Sequence, residues 1–258
     1  MDILDPVLLL AAVGFVAGVI DSIAGGGGLI TVPALSLILG YGAHAIGTNK
    51  LAAVLGTFVS FLIYLKKAHL KWRRTIGFTL VVGIFSFLGS QVTPLIPKNY
   101  FPWFLLMTCP IVLFIIFKKD MWVKVVQSER PQPVSVVALF ISAAICGFYD
   151  GLWGPGGGTF LFLSLILFCH MPLMEALAAS KLANCVSALF SFTGYAVGGY
   201  VHWEEGWALA FGMMIGSFIG ASYNSRHPNS AKVVRVALLI VVGLLLVRVA
   251  SELGFYKI

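Results

Sequence analysis

Long apolar stretches alternate with short polar ones along almost the whole chain, and they fall into two sets of five. The ten apolar segments run over residues 6–24, 29–39, 46–65, 75–92, 103–117, 134–153, 159–168, 173–200, 206–223 and 233–253. A helix needs about 20 apolar residues to span a bilayer. The pattern therefore predicts an all-α bundle of transmembrane helices, in which the second segment of each set, at about 10 residues, is too short to cross alone.

Each short segment follows a break that is rich in glycine. The first break contains Gly25 to Gly28 and the second contains Gly154 to Gly158, with Pro155 inside it. Non-helical backbone is stable within the bilayer only where protein or a water-filled cavity satisfies its hydrogen-bonding groups. We therefore expect the first two segments of each set to form a broken or re-entrant helix hairpin, followed by three spanning helices.

The two sets of segments are copies of one unit. Residues 18–21 match residues 147–150 at an offset of 129, and residues 50–52 match residues 181–183 at an offset of 131. The larger offset also relates Tyr64 to Tyr195 and Trp72 to Trp203. Asp, Lys, Tyr and Trp rarely fall into register by chance. We predict a first transmembrane repeat at 1–117, a cytoplasmic linker at 118–133 and a second repeat at 134–258.

The amino-acid composition is typical of a membrane protein. Of its 258 residues 59% are hydrophobic and 10% are charged, with a mean hydropathy of +0.97, whereas soluble domains are about a quarter charged. The net charge of +7 resides in short loops without a motif for reading nucleic acid, so we expect no nucleic-acid partner. The four cysteines lack metal-ligand spacing, and we expect no metal and no cofactor.

The basic residues predict the orientation of the two repeats. Twelve of the 17 Lys and Arg residues fall in three alternate loops, at 66–74, 118–130 and 226–235. By the positive-inside rule these loops are cytoplasmic. Since the basic loop at 66–74 aligns with an acidic loop around Glu204, the two repeats should be inverted relative to each other, with both termini outside.

Inverted repeats with broken helices are typical of secondary transporters, whose binding sites lie near the midplane. Glycines leave backbone N–H groups open to a ligand, so the clusters are the first candidates for substrate binding. Tight helix packing is the alternative role for them. The candidates from the clusters are Gly26, Gly27, Gly28, Gly156, Gly157 and Gly158.

The matched lysines Lys50 and Lys181 are the strongest ionisable candidates, because charged groups in apolar helices are usually functional. Each could follow a helix start or a local unwinding, where a positive helix end and an ammonium together favour an anion. Snorkelling to the interface is the alternative. Polar residues that accompany the lysines complete the candidate anion site: Thr48, Asn49, Ser180 and Asn184. The fuller polar stripe beside Lys181 favours it as the more important lysine.

Two alternative roles fit the matched acids Asp21 and Asp150. They could carry a coupling proton, or they could cap the glycine breaks and balance the charge of the lysines.

Two motifs of the first repeat resemble those of a known protein family. The stretch from Asp21 to Leu35, followed by Gly47-Thr48-Asn49-Lys50, resembles the TauE/SafE family of sulfite and organosulfur exporters, and most closely its YfcA-like branch. The second repeat departs from it by having Pro155 in the glycine run and no counterpart of Pro33. The resemblance implies transport of small sulfur-containing anions across a bacterial inner membrane, driven by an ion gradient.

We therefore expect a secondary transporter that moves sulfite, thiosulfate or a sulfonate by alternating access, with the anion and membrane lipid as its partners. An anion channel is the nearest alternative. An intramembrane enzyme is less favoured, because no GxSxG or HExxH motif is present. The sequence does not specify the cargo, the direction, the coupling ion or the oligomeric state.

Overall fold

The computed structural model describes residues 6–101, 103–104, 136–167, 169 and 171–226, and these residues form helices and short turns. The described residues contain eight α-helices: α1 (Pro6–Ala24), α2 (Gly28–Leu39), α3 (Ala43–Leu65), α4 (Trp72–Val92), α5 (Val136–Leu152), α6 (Gly157–Leu167), α7 (Leu173–Val197) and α8 (Trp203–Arg226). Two 3-10 turns, Thr93–Leu95 and Lys98–Tyr100, follow α4. The all-helical class predicted from the sequence is confirmed.

The predicted segments agree closely with these helices. Within the described part of the chain, five helices are long and apolar enough to cross a membrane, namely α1, α3, α4, α7 and α8. The short helices α2 and α6 have 12 and 11 residues, as their short apolar runs predicted. The fifth segment of each repeat, apart from residues 103 and 104, and the predicted linker at 118–133 lie outside the described residues.

Contacts between loops and helix ends define two opposite ends of the bundle. At one end, which we call the Lys67 end, the Lys67 ammonium donates to the Ser225 carbonyl after α8 has crossed the bundle. At the other end, the His202 end, the His202 ring lies 3.1 Å from a ring nitrogen of His44. Helix α3 joins the two ends, because it begins beside His44 and finishes at Leu65.

The helices α1 and α2 form a hairpin that enters from the His202 end. Val7, near the start of α1, and Leu39, at the end of α2, pack against one apolar cluster with Leu10 and Leu35. The helices α5 and α6 form the corresponding hairpin from the Lys67 end, where Leu139 of α5 and Ile166 of α6 share a second cluster. The sequence left open whether these segments cross or turn back, and the structure shows that they turn back.

Small residues allow each hairpin to pack closely against a long helix. A Cβ on Gly14 of α1 would overlap the Leu209 carbonyl of α8, and a Cβ on Gly216 would overlap the Phe15 carbonyl. On the other side of the bundle, a Cβ on Gly151 of α5 would overlap the Ser86 carbonyl of α4. Backbones that approach this closely are typical of small-residue interfaces between membrane helices.

The helices α3 and α7 occupy the centre of the bundle and contact each other. Two thirds of each spanning window is buried, compared with 39% for α1 and 44% for α4. The outer helices present large apolar side chains to the surroundings, and the most exposed include Val137, Ile145, Phe211 and Phe218. Lipid is the solvent that suits such a surface, so the described residues have the layout of a multi-pass membrane protein.

Candidate functional site

The two glycine breaks meet at the centre of the bundle. An added Cβ on Gly25 would lie 2.6 Å from the Thr159 backbone nitrogen, and one on Gly28 would lie 3.2 Å from the Pro155 Cα. Positive φ angles of 74° at Gly25 and 94° at Gly154 turn the chain at the two breaks. Glycine adopts such angles at little cost, so the sequence of each break allows the two hairpin tips to touch.

A small cavity lies between the tips and the central helices. Its walls are formed by Asp21, Gly26, Gly28, Asn49, Lys50, Ala53, Thr57, Asp150, Gly154, Gly156, Gly158, Asn184 and Met213. The volume open to the centre of a water molecule is about 20 Å³, which is little more than a single water requires. A ligand larger than a water molecule therefore does not fit the cavity as the structure shows it.

The matched lysines and aspartates form two buried ion pairs, and each pair joins the two halves of the chain. The Lys50 ammonium lies 2.9 Å from Asp150 Oδ2, and the Lys181 ammonium lies 3.2 Å from Asp21 Oδ2. Each lysine also donates to the backbone carbonyl of its aspartate. Because all four side chains are at least 95% buried, the alternative that the lysines snorkel to the interface is wrong.

The two aspartates differ in their second hydrogen bond. Asp21 Oδ1 accepts from the Gly27 backbone N–H at 3.1 Å, as expected for a residue that caps a glycine break. Asp150 Oδ2 instead accepts from the Ser187 hydroxyl at 2.6 Å. The position in α3 that corresponds to Ser187 is Gly56, which has no hydroxyl. Both acids therefore balance a lysine, but their surroundings are not equivalent.

The predicted helix starts beside the lysines are wrong. The helix α3 begins at Ala43 and α7 begins at Leu173, and both continue through the lysines without unwinding. The helix starts that face the cavity are those of α2 and α6, directly after the glycine breaks. Their positive ends still favour negative charge at this site.

Two amide side chains face the cavity beside Lys50. Asn49 lines the cavity, and its oxygen accepts a 2.6 Å hydrogen bond from Thr31, so its NH₂ group is the donor that this hydrogen bond does not use. Asn184 is 7% exposed, lines the cavity and has no hydrogen-bond partner among the described residues. A buried amide normally has a partner, so the cavity offers two amides and one ammonium to a ligand that accepts hydrogen bonds.

The candidates from the sequence divide into two groups. Those on the cavity wall are Asp21, Gly26, Gly28, Asn49, Lys50, Asp150, Gly156, Gly158 and Asn184. Those that do not line the cavity are Gly27, Thr48, Gly157, Ser180 and Lys181. Four of these have other partners. The Gly27 N–H and the Lys181 ammonium both donate to Asp21. Thr48 accepts from the His202 backbone N–H, and Ser180 donates to the Leu177 carbonyl. The wall thus contains Lys50 but not Lys181, the lysine that the polar stripe favoured.

Four wall residues were not among the candidates, namely Ala53, Thr57, Gly154 and Met213. Apolar or small side chains give no chemical signal in a chain that is 59% hydrophobic. Thr57 donates to carbonyls of its own helix, which is the usual behaviour of threonine within a helix. Its sequence position therefore did not distinguish it from a structural threonine.

Two buried tyrosines form hydrogen bonds to the hairpin tips. Neither was among the candidate site residues, although the sequence repeat matches Tyr64 to Tyr195. The Tyr64 hydroxyl donates to the Ser22 carbonyl and accepts from Asn224. The Tyr195 hydroxyl bonds to the Gly151 carbonyl and to Thr93, both at 2.7 Å. Each tyrosine thus bonds to the carbonyl that directly follows a site aspartate.

Several known proteins that are similar to this chain are named as probable membrane transporters. A "Probable membrane transporter protein" of Haemophilus influenzae is 36% identical over 86% of each chain. The "Probable membrane transporter protein ORF9" of a Sinorhizobium species is 31% identical over 94% of this chain and 92% of the relative. YfcA of Escherichia coli K12, also named as a probable membrane transporter, is 32% identical over 92% of this chain and 87% of the relative.

No solved structure matches this chain. The model of the family "Sulfite exporter TauE/SafE" matches residues 10–249, which is nearly the whole sequence. The chain therefore belongs to the TauE/SafE family of membrane transporters.

Proposed function

We propose that this membrane transporter is a secondary carrier for a small sulfur-containing anion, namely sulfite, thiosulfate or a sulfonate, in a bacterial inner membrane. The observation that carries the proposal is the group of donors around the cavity. Lys50, Asn49 and Asn184 face one buried space between the positive ends of α2 and α6. The name of the family to which the chain belongs, sulfite exporter TauE/SafE, agrees with such a cargo.

The chemistry of these donors suits an oxyanion. Lysine supplies charge without a fixed geometry, whereas the two amides supply oriented donors. Oxygens on sulfur accept hydrogen bonds in several directions, so one ligand can use all three side chains. Hydrogen bonds to a charged group contribute about 1.5–3 kcal/mol each. Two or three of them, in a site shielded from water, are enough for selective binding of an anion over neutral solutes.

The proposed mechanism is alternating access by two inverted repeats. The hairpin α1–α2 enters from the His202 end and the hairpin α5–α6 enters from the Lys67 end, which supports opposite orientations of the two repeats. The cavity between the tips is too small for the cargo. Movement of one hairpin would open the site toward one side of the membrane only, as a carrier requires.

Transport by purified protein in liposomes tests the proposal directly. We expect uptake of sulfite, thiosulfate or methanesulfonate, and faster uptake when the same anion is present inside the vesicles. Such counterflow distinguishes a carrier from the alternative of an anion channel, which shows no stimulation from the opposite side. Absence of uptake and of binding for all three anions would contradict the proposed cargo.

The inverted arrangement predicts which side of the membrane each loop faces. The loop before Trp72 contacts the Lys67 end, and the loop before Trp203 contacts the His202 end. Single cysteines placed next to these two tryptophans should therefore react with an impermeant thiol reagent from opposite sides, with the Trp72 position facing the cytoplasm. A parent protein without its four native cysteines provides the background. Labelling of both positions from the same side would contradict the inversion.

Replacement of Asn184 by leucine tests the proposed donors without breaking an ion pair. The amide has no hydrogen-bond partner among the described residues, so leucine of similar size should leave the free energy of unfolding unchanged or slightly raised. Anion affinity should fall on the order of tenfold, which corresponds to the loss of one hydrogen bond to a charged group. The measurement is the binding of thiosulfate by titration calorimetry.

Ser180→Ala is the matched control for Asn184→Leu. Ser180 is on the same helix and is also buried, but its hydroxyl donates to the Leu177 carbonyl and does not line the cavity. We expect unchanged anion affinity in Ser180→Ala. Equal loss of affinity in both variants would indicate a general disturbance of α7 and not a contact with the anion.

A further inference from the structure

The charges around the cavity already cancel before any anion arrives. Lys50 and Lys181 are neutralised by Asp150 and Asp21, and all four side chains are buried. An added monovalent anion would leave one negative charge unbalanced in a site with little water, and a buried charge without a partner is strongly unfavourable. The proposed function therefore requires a further step that restores neutrality, and uptake of one proton by a carboxylate is the simplest.

The two aspartates are unequally suited to accept that proton. The second partner of Asp150 is the Ser187 hydroxyl, which can rotate to accept a hydrogen bond from a protonated carboxyl. The second partner of Asp21 is the Gly27 backbone N–H, which only donates and so favours the ionised carboxylate. A neutral Asp150 would keep its hydrogen bond to Ser187, whereas a neutral Asp21 would weaken the cap of its glycine break.

The two lysines also differ, because only one of them is accessible from the cavity. Lys50 lines the cavity and its ammonium lies beneath Gly154, 3.5 Å from the position of an added Cβ. Lys181 does not line the cavity. An anion that enters between the tips can therefore replace the Asp150 carboxylate as the partner of Lys50, while the Lys181 ammonium remains on Asp21.

We propose that Asp150 takes up one proton when the anion binds to Lys50, while Asp21 remains ionised and positions α1 against α7. This inference rests on the proposed function. The proton comes from the water on the side to which the cavity is open and adds to the Asp150 carboxylate, Lys50 stays an ammonium, and the anion replaces the lost negative charge. One monovalent anion and one proton then cross together without net charge movement.

The groups that face Asp150 come from several elements. They are Lys50 of α3, Asp21 of α1 across the cavity, Cys146 of α5 itself, and Tyr195 of α7. At this level α4 presents the backbone and hydroxyl of Ser86. The cavity-lining residues of α2, α6 and α8 have no ionisable side chain.

The test measures anion affinity as a function of pH. Methanesulfonate is the main probe, because it carries one negative charge throughout the mildly acidic to neutral range and so matches the charge of one proton. Thiosulfate carries two negative charges in this range and serves only to detect binding. For wild-type protein we expect the affinity to rise by up to about tenfold for each unit by which the pH falls, the slope of one linked proton. We also expect the wild type to remove protons from a weakly buffered solution when the anion is added. This second measurement needs no variant.

Asp150→Asn should bind the anion more tightly than wild type at neutral pH and should lose the pH dependence, because Lys50 no longer has a competing carboxylate. Asp21→Asn, the matched control, should keep the pH dependence. A wild type that binds anions without proton uptake, or an Asp150→Asn variant that keeps the slope, would overturn the inference and leave the proposed function intact. If the wild type binds neither probe, the proposed function fails and the inference fails with it.

Discussion

Replacement of Gly157 by alanine is expected to abolish transport, although it adds only one methyl group. The added Cβ would overlap Asp150 Oδ1 and lie 2.7 Å from the carboxyl carbon and 2.9 Å from the Cβ of Asp150. Asp150 would have to leave both Lys50 and Ser187, or the start of α6 would have to move. Overpacking of this kind costs about 1–3 kcal/mol in folding stability. The measurement is initial uptake into liposomes, corrected for the amount of inserted protein.

Gly77→Ala is the matched control for Gly157→Ala. Gly77 is also helical, but its nearest neighbour would be a Phe140 ring atom at 3.7 Å, an ordinary contact distance. Alanine is about 1 kcal/mol better than glycine within a helix, so this control should be as stable as wild type or more so, with normal uptake. Normal uptake by Gly157→Ala as well would mean that the position of the Asp150 carboxylate does not matter for transport.

The requirement for glycine at 157 has a different cause from the one that the sequence suggests. The left-handed angles lie at other glycines of the breaks, including Gly26 and Gly156. Gly27, by contrast, has a right-handed helical φ of −52°, and its added Cβ would lie 2.8 Å from the Asp21 Cβ. Gly27 and Gly157 are thus required to leave space for the site aspartates. A run of glycines does not reveal which member turns the chain and which makes room for a side chain.

Most of the helix pattern could be predicted, because hydrophobicity decides which backbone segments enter a membrane. The first predicted segment coincides with α1, and α7 begins at its predicted residue, Leu173. The errors are at polar helix ends. α4 begins at Trp72 and not near residue 75, since Trp72, Arg73 and Arg74 add a polar first turn that hydropathy does not register. α8 likewise includes Glu204 and Glu205 in its first turn.

The four charged residues of the candidate site could be identified from the sequence, but their pairing could not. The repeat identified Lys50, Lys181, Asp21 and Asp150 as equivalent positions, yet nothing in one sequence shows that each lysine bonds to the aspartate of the other half. That pairing follows from hairpin tips that enter from opposite ends and meet between α3 and α7. The sequence shows that Ser187 in the second repeat corresponds to Gly56 in the first. Only the structure shows that this difference matters, because the Ser187 hydroxyl donates to Asp150.

Removal of one partner of an ion pair is expected to destabilise the protein strongly, and removal of both is not. Lys50→Met leaves Asp150 buried without its cation, which costs about 3–5 kcal/mol for a buried pair. The double variant Lys50→Met/Asp150→Leu has no buried charge at these positions, so its free energy of unfolding should return to within about 1–2 kcal/mol of wild type, because replacing a whole buried pair by apolar residues is often neutral. Thermal or denaturant unfolding in detergent measures the difference.

Variants of the Lys181–Asp21 pair provide the matched comparison for the free energy of unfolding. Lys181→Met should destabilise as much as Lys50→Met, since both lysines are buried and paired in the same way. Lys181→Met/Asp21→Leu should recover less fully, because the Gly27 N–H loses its acceptor and an unsatisfied buried donor costs about 1–3 kcal/mol.

Anion binding should distinguish the two double variants. Lys50→Met/Asp150→Leu lacks the only lysine on the cavity wall among the described residues, so its affinity for thiosulfate should fall on the order of 10- to 100-fold, equivalent to one charged hydrogen bond. Lys181→Met/Asp21→Leu keeps Lys50, Asn49 and Asn184, and its affinity should stay within a few fold of wild type. The opposite order, with affinity lost only in the Lys181 double variant, would place the anion beside α7 and away from the observed cavity.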